Sequence, residues 1–168
     1  MPKLRLVIDA SVAGRAGETQ HPVSKANRLF LIRARRVCHK IVMSPPIRNE
    51  WDRHQSLFSK TWFASMESKK KVVTVRPRVN PNLRDAVEAS EGREAMRKDV
   101  PLIEAAGMAD LTVVSADNRA RSLFARLSAG VSDLQAIVWV NPEEEPEELF
   151  RWLRRGVDPR PEWRLGSQ

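Results

Sequence analysis

Short apolar runs alternate along this chain with segments of helical periodicity, and this alternation is the strongest constraint on its fold. The predicted strands are residues 4–9, 40–43, 111–115 and 136–140, with a further short candidate at 72–75. The first run is nearly continuous, so we expect a strand that is buried on both faces. Strands alternating with helices predict a single three-layer α/β/α domain around a central, mostly parallel sheet of four or five strands.

Helical periodicity and helix-start residues define the segments between the strands. The predicted helices are residues 24–37, 45–66, 82–97, 99–107 and 118–129, with a last one starting in the acidic run 143–148. Ser44 precedes two prolines, which the first turn of a helix tolerates, so it is a candidate N-cap. Gly92 is expected to interrupt its helix. The stretch from Ala13 to Pro22 contains two glycines and is predicted to be a loop.

Length and cysteine content set the domain count and the expected compartment. A chain of 168 residues fits one domain, which we place at residues 1–155. The segment 156–168 contains two prolines and is predicted to be a flexible C-terminal tail. The lone cysteine, Cys38, cannot form an internal disulfide, which favours a reducing cytoplasm. No apolar run approaches the roughly 20 residues of a membrane span, and the first strand is too short for a signal peptide.

The net charge of +8 is distributed unevenly along the chain. Residues 1–78 contain 17 Lys and Arg against 5 Asp and Glu, a net +12, whereas residues 79–168 are net −4. The ordinary interpretation is that single cations such as Arg35, Arg36 and Lys40 solvate the end of a helix. The excess over the whole half instead indicates a polyanionic partner, because Lys and Arg bind phosphates.

Four carboxylates occupy positions that a parallel sheet brings together. Asp9 and Asp117 each follow a predicted strand, and Glu50 and Asp99 lie near the starts of predicted helices. Ligands of open parallel sheets bind at the carboxyl ends of the strands, so the four acids are expected to share one pocket. Oxygen ligands alone favour Mg²⁺ or Mn²⁺. Asp110, which precedes the predicted strand 111–115, is a weaker candidate for the fourth acid than Asp117.

Each acid also has a purely structural explanation. Asp99 and Asp117 precede helices, and N-capping alone would account for either one. Glu50 lies on a helix with other charged residues and would ordinarily be a surface side chain. Asp9 is the hardest to explain in this way, because a carboxylate directly after a buried strand needs a partner.

The segments around these acids resemble the motifs of the PIN-domain nucleases. Residues 7–12 (Val-Ile-Asp-Ala-Ser-Val) resemble the opening strand of that family with its metal-binding Asp and nearby Ser. Residues 43–50 resemble the second strand and the helix with the second acid, 98–106 the third-acid helix, and 112–117 the strand before the fourth acid. The matches occur in family order from residue 4 to about 140. The stretch between the second and third acids is longer than in compact members.

The resemblance implies a metal-dependent endoribonuclease. It assigns catalytic and metal-binding roles to Asp9, Glu50, Asp99 and Asp117, with the last either a ligand or a holder of water. Ser11 and Ser115 are expected to orient carboxylates or water. Candidate substrate contacts are Arg48, Arg53 and His54. One or two Mg²⁺ or Mn²⁺ ions would activate water and stabilise the leaving oxygen during in-line attack on phosphorus.

Partners and alternatives follow from the same resemblance. Many relatives in the family are toxins of toxin–antitoxin pairs, so the expected partners are single-stranded RNA, an antitoxin protein and a second copy of the chain. The main alternative is a non-catalytic RNA-binding or scaffold protein on the same fold. A phosphatase would need a second acid where Ser11 stands, and the glycines at 14 and 17 do not have the spacing of a phosphate-binding loop. A flap nuclease would need helical clamp segments that this short chain does not show.

Overall fold

The computed structural model describes residues 3–156 and 158–168, and within them five strands form one parallel sheet. The strands are β1 (Arg5–Ile8), β2 (Lys40–Met43), β3 (Val72–Thr74), β4 (Thr112–Val114) and β5 (Val138–Val140). Their order in the sheet is β3-β2-β1-β4-β5. The prediction of a parallel sheet with four or five strands is confirmed, and the uncertain candidate at 72–75 is a genuine edge strand.

Helices cover both faces of the sheet. They are α1 (Ala10–Arg15), α2 (Pro22–Arg36), α3 (Pro45–His54), α4 (Leu57–Ser68), α5 (Pro81–Glu88), α6 (Arg93–Met96), α7 (Val100–Gly107), α8 (Asn118–Leu127) and α9 (Pro146–Arg155). In one layer α2 packs against α1, α4 and α9, and in the other α7 packs against β1 and β4 while α6 packs against α8. This division is the one that right-handed crossovers produce. Within the described residues, no helix is both long and apolar enough to cross a bilayer.

The core lies on both sides of the central strands. Leu6, Val7 and Ile8 of β1 are all fully buried, which confirms the prediction of a strand covered on both faces. On one side Trp51 stacks on Trp62, with ring centroids 6.1 Å apart. The indole nitrogens of these two residues donate to main-chain carbonyls, so the large rings are buried without unpaired N–H groups.

The first helix corrects the predicted loop between Ala13 and Pro22. Residues 10–15 form α1, with Asp9 at its N-cap position, so the irregular segment is shorter than expected. Gly14 lies inside this helix because of a close approach: a Cβ there would be 2.8 Å from the carbonyl oxygen of His54. The glycine therefore serves helix packing and does not mark a turn.

The long helix predicted from Pro45 to Met66 is divided into α3 and α4. Ser56 caps α4, since its Oγ accepts the amide of Ser59 at 3.0 Å. Its own amide donates to the carbonyl oxygen of Ala13 at 3.0 Å. These bonds to α1 and to the next turn replace the helical bonds that a continuous helix would make. The prediction of one helix was wrong because the competing partner comes from another part of the chain.

Residues 158–168 pack onto the domain and do not extend away from it as a flexible tail. Trp163 and Leu165 are buried, in two short 3₁₀ turns. The amide of Leu165 donates to the carbonyl oxygen of Ile137 at 2.9 Å, and Trp163 contacts the ring of Trp152 edge-on. The two prolines thus shape a docked segment, because the aromatic and aliphatic side chains beside them find apolar partners.

His39 joins three elements at the amino edge of the sheet. Its Nδ1 accepts the amide of Leu4 at 3.0 Å, so its Nε2 carries the proton and donates to the carbonyl oxygen of Leu153 at 2.9 Å. The ring therefore ties the start of β1 and the end of α9 to β2. Burial lowers the pKa of His39 from 6.5, and the charge of Lys71 acts in the same direction.

Acid should weaken the fold through His39. Because its pKa is lower in the folded state, the unfolded chain takes up the proton first as the pH falls below about 6.5, and stability decreases by up to about 1.4 kcal/mol per pH unit. Urea unfolding across this range tests it. His39→Gln should be less stable but should have a shallower pH dependence, because the buried group that causes the slope is gone. An unchanged slope in His39→Gln would contradict the assignment.

Candidate metal centre

The sheet reverses its direction of growth between β1 and β4. The chain proceeds from β1 to β2 and β3 and then crosses to β4 and β5 on the other side. Helices that follow β1 and β4 therefore diverge, and they leave a crevice at the carboxyl ends of these two strands. The amide of Asp9 donates to the carbonyl oxygen of Val114 at 2.8 Å, which fixes Asp9 at this crevice. Trp51 holds α3 beside it, since its Nε1 donates to the carbonyl oxygen of Ile8 at 2.8 Å.

Two serine hydroxyls hold the Asp9 carboxylate. Ser11 Oγ and Ser115 Oγ donate to Oδ2 of Asp9 at 2.6 and 2.9 Å. Each hydroxyl also accepts a main-chain amide, from Ala116 and Asp117 respectively, which directs its proton toward the carboxylate. Both serines come from the predicted positions after β1 and β4. Hydroxyl groups that follow β1 and the neighbouring strand β4 therefore orient the carboxylate of Asp9.

Asp99 is a buried carboxylate with an unsatisfied oxygen. Its residue exposure is 3%, and its Oδ2 has no hydrogen-bond partner within the described chain. Burial is the main cause that raises its pKa to about 8, and the charges of Asp9, Asp117 and Glu50 add to the effect, while Lys98 opposes it. Although it occupies the N-cap position of α7, it makes no side-chain cap hydrogen bond. Helix capping therefore does not account for Asp99.

Asp117 has two contacts that differ from those of Asp99. Its Oδ1 accepts the amide of Ala120 at 2.9 Å, so it is a genuine N-cap of α8. Its Oδ2 lies 3.6 Å from Nζ of Lys98. The charges of Asp99, Asp117 and Asp9 together raise the pKa of Lys98, with Asp99 contributing most. Lys98 thus stands as a cation between the third and fourth acids.

Glu50 borders the crevice from α3. Its carboxylate contacts Arg53 and His54, with nitrogen–oxygen distances of 3.4 and 3.5 Å, and its side chain is 40% exposed. The close packing of α1 at Gly14 brings His54 to the same side. The charge of Glu50 also raises the pKa of Asp99, but by less than burial and the charges of Asp9 and Asp117 do.

One cleft collects most of these side chains. It has a volume of about 430 Å³, and its polar lining consists of Asp9, Ser11, Arg15, Glu50, His54, Lys98 and Asp99. Asp117 does not line the cleft itself, but it contacts Lys98, which does. In the described chain, no three acidic, His or Cys side chains are already converged in a metal-binding geometry. The donor set still suits a hard divalent cation, because it is all oxygen, mutually repulsive and includes the unsatisfied Oδ2 of Asp99.

Other predicted residues lie outside this cleft. Asp110 is at the opposite end of β4, where it forms an ion pair with Arg5 at 2.9 Å that contributes to lowering its pKa against the effect of burial. Arg48 contacts Asp52 and Glu67 and does not line the cleft. Arg53 does not line the cleft either, but it donates a hydrogen bond to Glu50, which does.

Two cations line the cleft without having been among the predicted site residues, Lys98 and Arg15. Lys98 was detectable, since it directly precedes a predicted metal-binding acid. Arg15 was hidden by the prediction of a loop there; it is the last residue of α1 and forms an ion pair with Glu143 at 3.0 Å.

Comparison with known proteins identifies no family. No family model matches the chain. No curated protein matches it in sequence either.

Replacing Asp99 by Asn should stabilise the metal-free protein. Because the folded-state pKa of about 8 is above the ordinary value of 3.8, the parent loses stability as the pH rises from about 4 through about 8. The neutral amide removes this loss, so the gain in melting temperature should increase with pH and level off above about pH 8. Thermal unfolding in EDTA measures it. Asp110→Asn is the matched control and should instead destabilise, since Arg5 loses its partner; a fall in stability for Asp99→Asn at high pH would contradict the description of the site.

Proposed function

We propose that this protein is a divalent-metal-dependent endoribonuclease that hydrolyses RNA phosphodiester bonds in the cleft at the carboxyl end of β1. The observation that carries the proposal is Asp99, a buried carboxylate with an oxygen that has no hydrogen-bond partner, close enough to three other acids for their charges to raise its pKa. A fold does not retain such a group for stability, because replacing it would remove a desolvation cost. A cation that neutralises it supplies the missing partner.

The residues that would hold Mg²⁺ or Mn²⁺ are Asp9, Glu50 and Asp99, with Asp117 either as a further ligand or as a holder of water. Serine hydroxyls already orient Asp9, as outer partners of metal ligands generally do. A bound divalent cation supplies charge neutralisation at the phosphodiester and activation of water for the attack on phosphorus. One or two ions are both compatible with this donor set.

The remaining groups of the cleft act on the substrate. Lys98 and Arg15 are the cations on its lining, and each is placed to bind a non-bridging phosphate oxygen. His54, beside Glu50, is a second candidate for this contact, as the sequence predicts. In-line attack requires the phosphodiester to lie across the acids, and these side chains reach the cleft from α1, from α3 and from the turn before α7.

The competing function is a non-catalytic RNA-binding or scaffold protein. The observation that favours it is the position of much of the positive charge, which lies away from the cleft. Binding without cleavage, unchanged when an acid is neutralised, is the behaviour this alternative predicts. The acids argue against it, since a binding surface for RNA gains nothing from a buried cluster of like charges.

The resemblance to PIN-domain toxins extends the proposal to a biological role. We place the protein in the cytoplasm, where its exposed cysteine stays reduced and its RNA substrate is found. An antitoxin protein and a second copy of the chain are the proposed protein partners. A gene for a small inhibitor directly beside its own gene would distinguish a toxin from a stand-alone nuclease.

Cleavage of single-stranded RNA should require Mn²⁺ or Mg²⁺ and should stop in EDTA. Asp9→Asn keeps the size of the side chain but removes the charge, and it should lower the cleavage rate by at least about 100-fold. Gel analysis of an end-labelled RNA measures both effects. Asp110→Asn, an equally conservative change outside the cleft, should retain the parent rate.

Two results would overturn this function. One is cleavage by the parent protein that continues in EDTA. The other is equal cleavage by the parent and Asp9→Asn, which would indicate a contaminating nuclease. Binding of RNA by both proteins without any cutting would support the scaffold alternative.

Ser115→Ala should weaken metal binding at the site without abolishing it. The variant loses one of the two hydroxyl donors to Asp9 Oδ2, and such outer partners contribute about 10–100-fold to metal affinity or activity. The Mn²⁺ concentration required for half-maximal cleavage should therefore rise. Ser122→Ala, an exposed serine on α8, is the control. An unchanged metal requirement in Ser115→Ala would mean that Asp9 does not act through this hydroxyl.

A further inference from the structure

The positive charge of the chain is concentrated on a surface that the proposed function does not use. Two adjoining grooves share Arg36 and are lined by seven basic residues and one acid, Glu147. We call this the basic surface; its main residues are Arg33, Arg35, Arg36, Lys69, Arg151 and Arg154. The cleft, by contrast, is lined by three acids and only two full cations, so without metal it attracts a polyanion weakly.

The basic surface lies at the amino edge of the sheet, opposite the cleft. It is formed where α2, α4 and α9 end, and α2 packs between the other two helices. The end of α2 leads into β2 at Lys40, and the end of α4 leads through Lys71 into β3. Because the cleft lies at the carboxyl ends of the strands, at least roughly 10 Å of strand separates the two sites.

Several cations of this surface remain available to a ligand, although Arg151 forms an ion pair with Glu148 at 2.7 Å. Arg36 and Arg154 are exposed and form no ion pair with any described acid, and the same holds for Lys69. Arg33 stacks on the ring of Phe150 at 3.5 Å, and its distance to Glu147 is 3.9 Å. Stacking keeps the guanidinium edge free for phosphate oxygens at a low entropy cost.

Favourable interaction with helix dipoles explains only part of this arrangement. A basic residue in the last turn of a helix is stabilised by the negative end of the dipole, which suits Arg36 and Arg154 individually. It does not explain why the ends of α2 and α9 lie beside the end of α4, which Lys69 follows, so that cations are concentrated in adjoining grooves. Like charges repel at this density unless an anion neutralises them.

We infer that the basic surface is a second nucleic-acid site, which holds the phosphate backbone of single-stranded RNA without metal. This rests on the proposed function only in the choice of RNA as the polyanion. The exposed large hydrophobic side chains among the described residues are Leu57, Val79, Met108 and Leu111, and none lines the basic surface. A membrane-surface or protein-docking site would need such side chains.

Binding of a labelled single-stranded RNA in EDTA, followed by fluorescence anisotropy, tests the inference. The double variant Arg36→Ala/Arg154→Ala should bind on the order of tenfold more weakly, and the slope of log Kd against log salt should fall by about 0.7 for each lost phosphate contact. Arg36→Lys/Arg154→Lys should keep most of the affinity, since the charge remains. Lys60→Ala/Arg126→Ala removes two exposed cations outside both grooves and should bind like the parent.

The test of the second site does not depend on the result of the cleavage assay. Binding is measured in EDTA, where the proposed nuclease has no metal, so the parent should bind RNA there whether or not it cuts RNA in Mn²⁺. Equal RNA affinity and salt slope in the parent and the double alanine variant would overturn the second site, even if cleavage is confirmed. Preferential binding of the parent to vesicles with anionic lipids, with no RNA binding in EDTA, would also overturn it. Thermal unfolding of each variant verifies that the fold is retained.

Discussion

The parallel pairing of β1 with β4 at the centre of the sheet is the constraint on which the candidate site depends. The two strands are distant in sequence, yet their register aligns Ile8 with Val114. Asp9 and Ser115 are the next residues along each strand, so the pairing makes them neighbours and allows the serine hydroxyl to reach the carboxylate. A slip of one residue would point these side chains to opposite faces. The geometry of the centre is therefore a consequence of strand register.

The two edges of the sheet have opposite electrostatic character. Acids collect at the carboxyl edge, where crossovers diverge and leave a crevice, and arginines collect at the amino edge, where α2 and α9 end. Helix dipoles favour the arginines at the amino edge, since the carboxyl end of a helix is negative and stabilises a cation. They also make Asp117 favourable at the start of α8. The buried Asp99 lies at the start of α7 but makes no cap hydrogen bond and leaves Oδ2 without a partner, and this separates it from the acids that structure alone explains.

The errors of the sequence interpretation have a common physical origin. Patterns within the chain indicated a continuous helix through Ser56 and a loop at Gly14. In the fold, Ser56 bonds to the backbone of α1, and Gly14 lies against the end of α3. Each error thus concerns a contact between two segments. The docked C-terminal segment is the same case, because Trp163 and Leu165 are apolar anchors only once β5 and α9 provide a surface.

The class of fold, the strands and the positions of Asp9 and Asp117 directly after strands could be predicted from the sequence, because hydrophobic periodicity and helix-start residues are local properties. Tertiary structure alone decided which of the four acids is buried and unsatisfied, that Lys98 stands between Asp99 and Asp117, and that Asp110 belongs to Arg5 at the other edge. It also decided that much of the basic charge faces away from the cleft. Burial and charge proximity depend on the order of strands in the sheet, and no local pattern encodes that order.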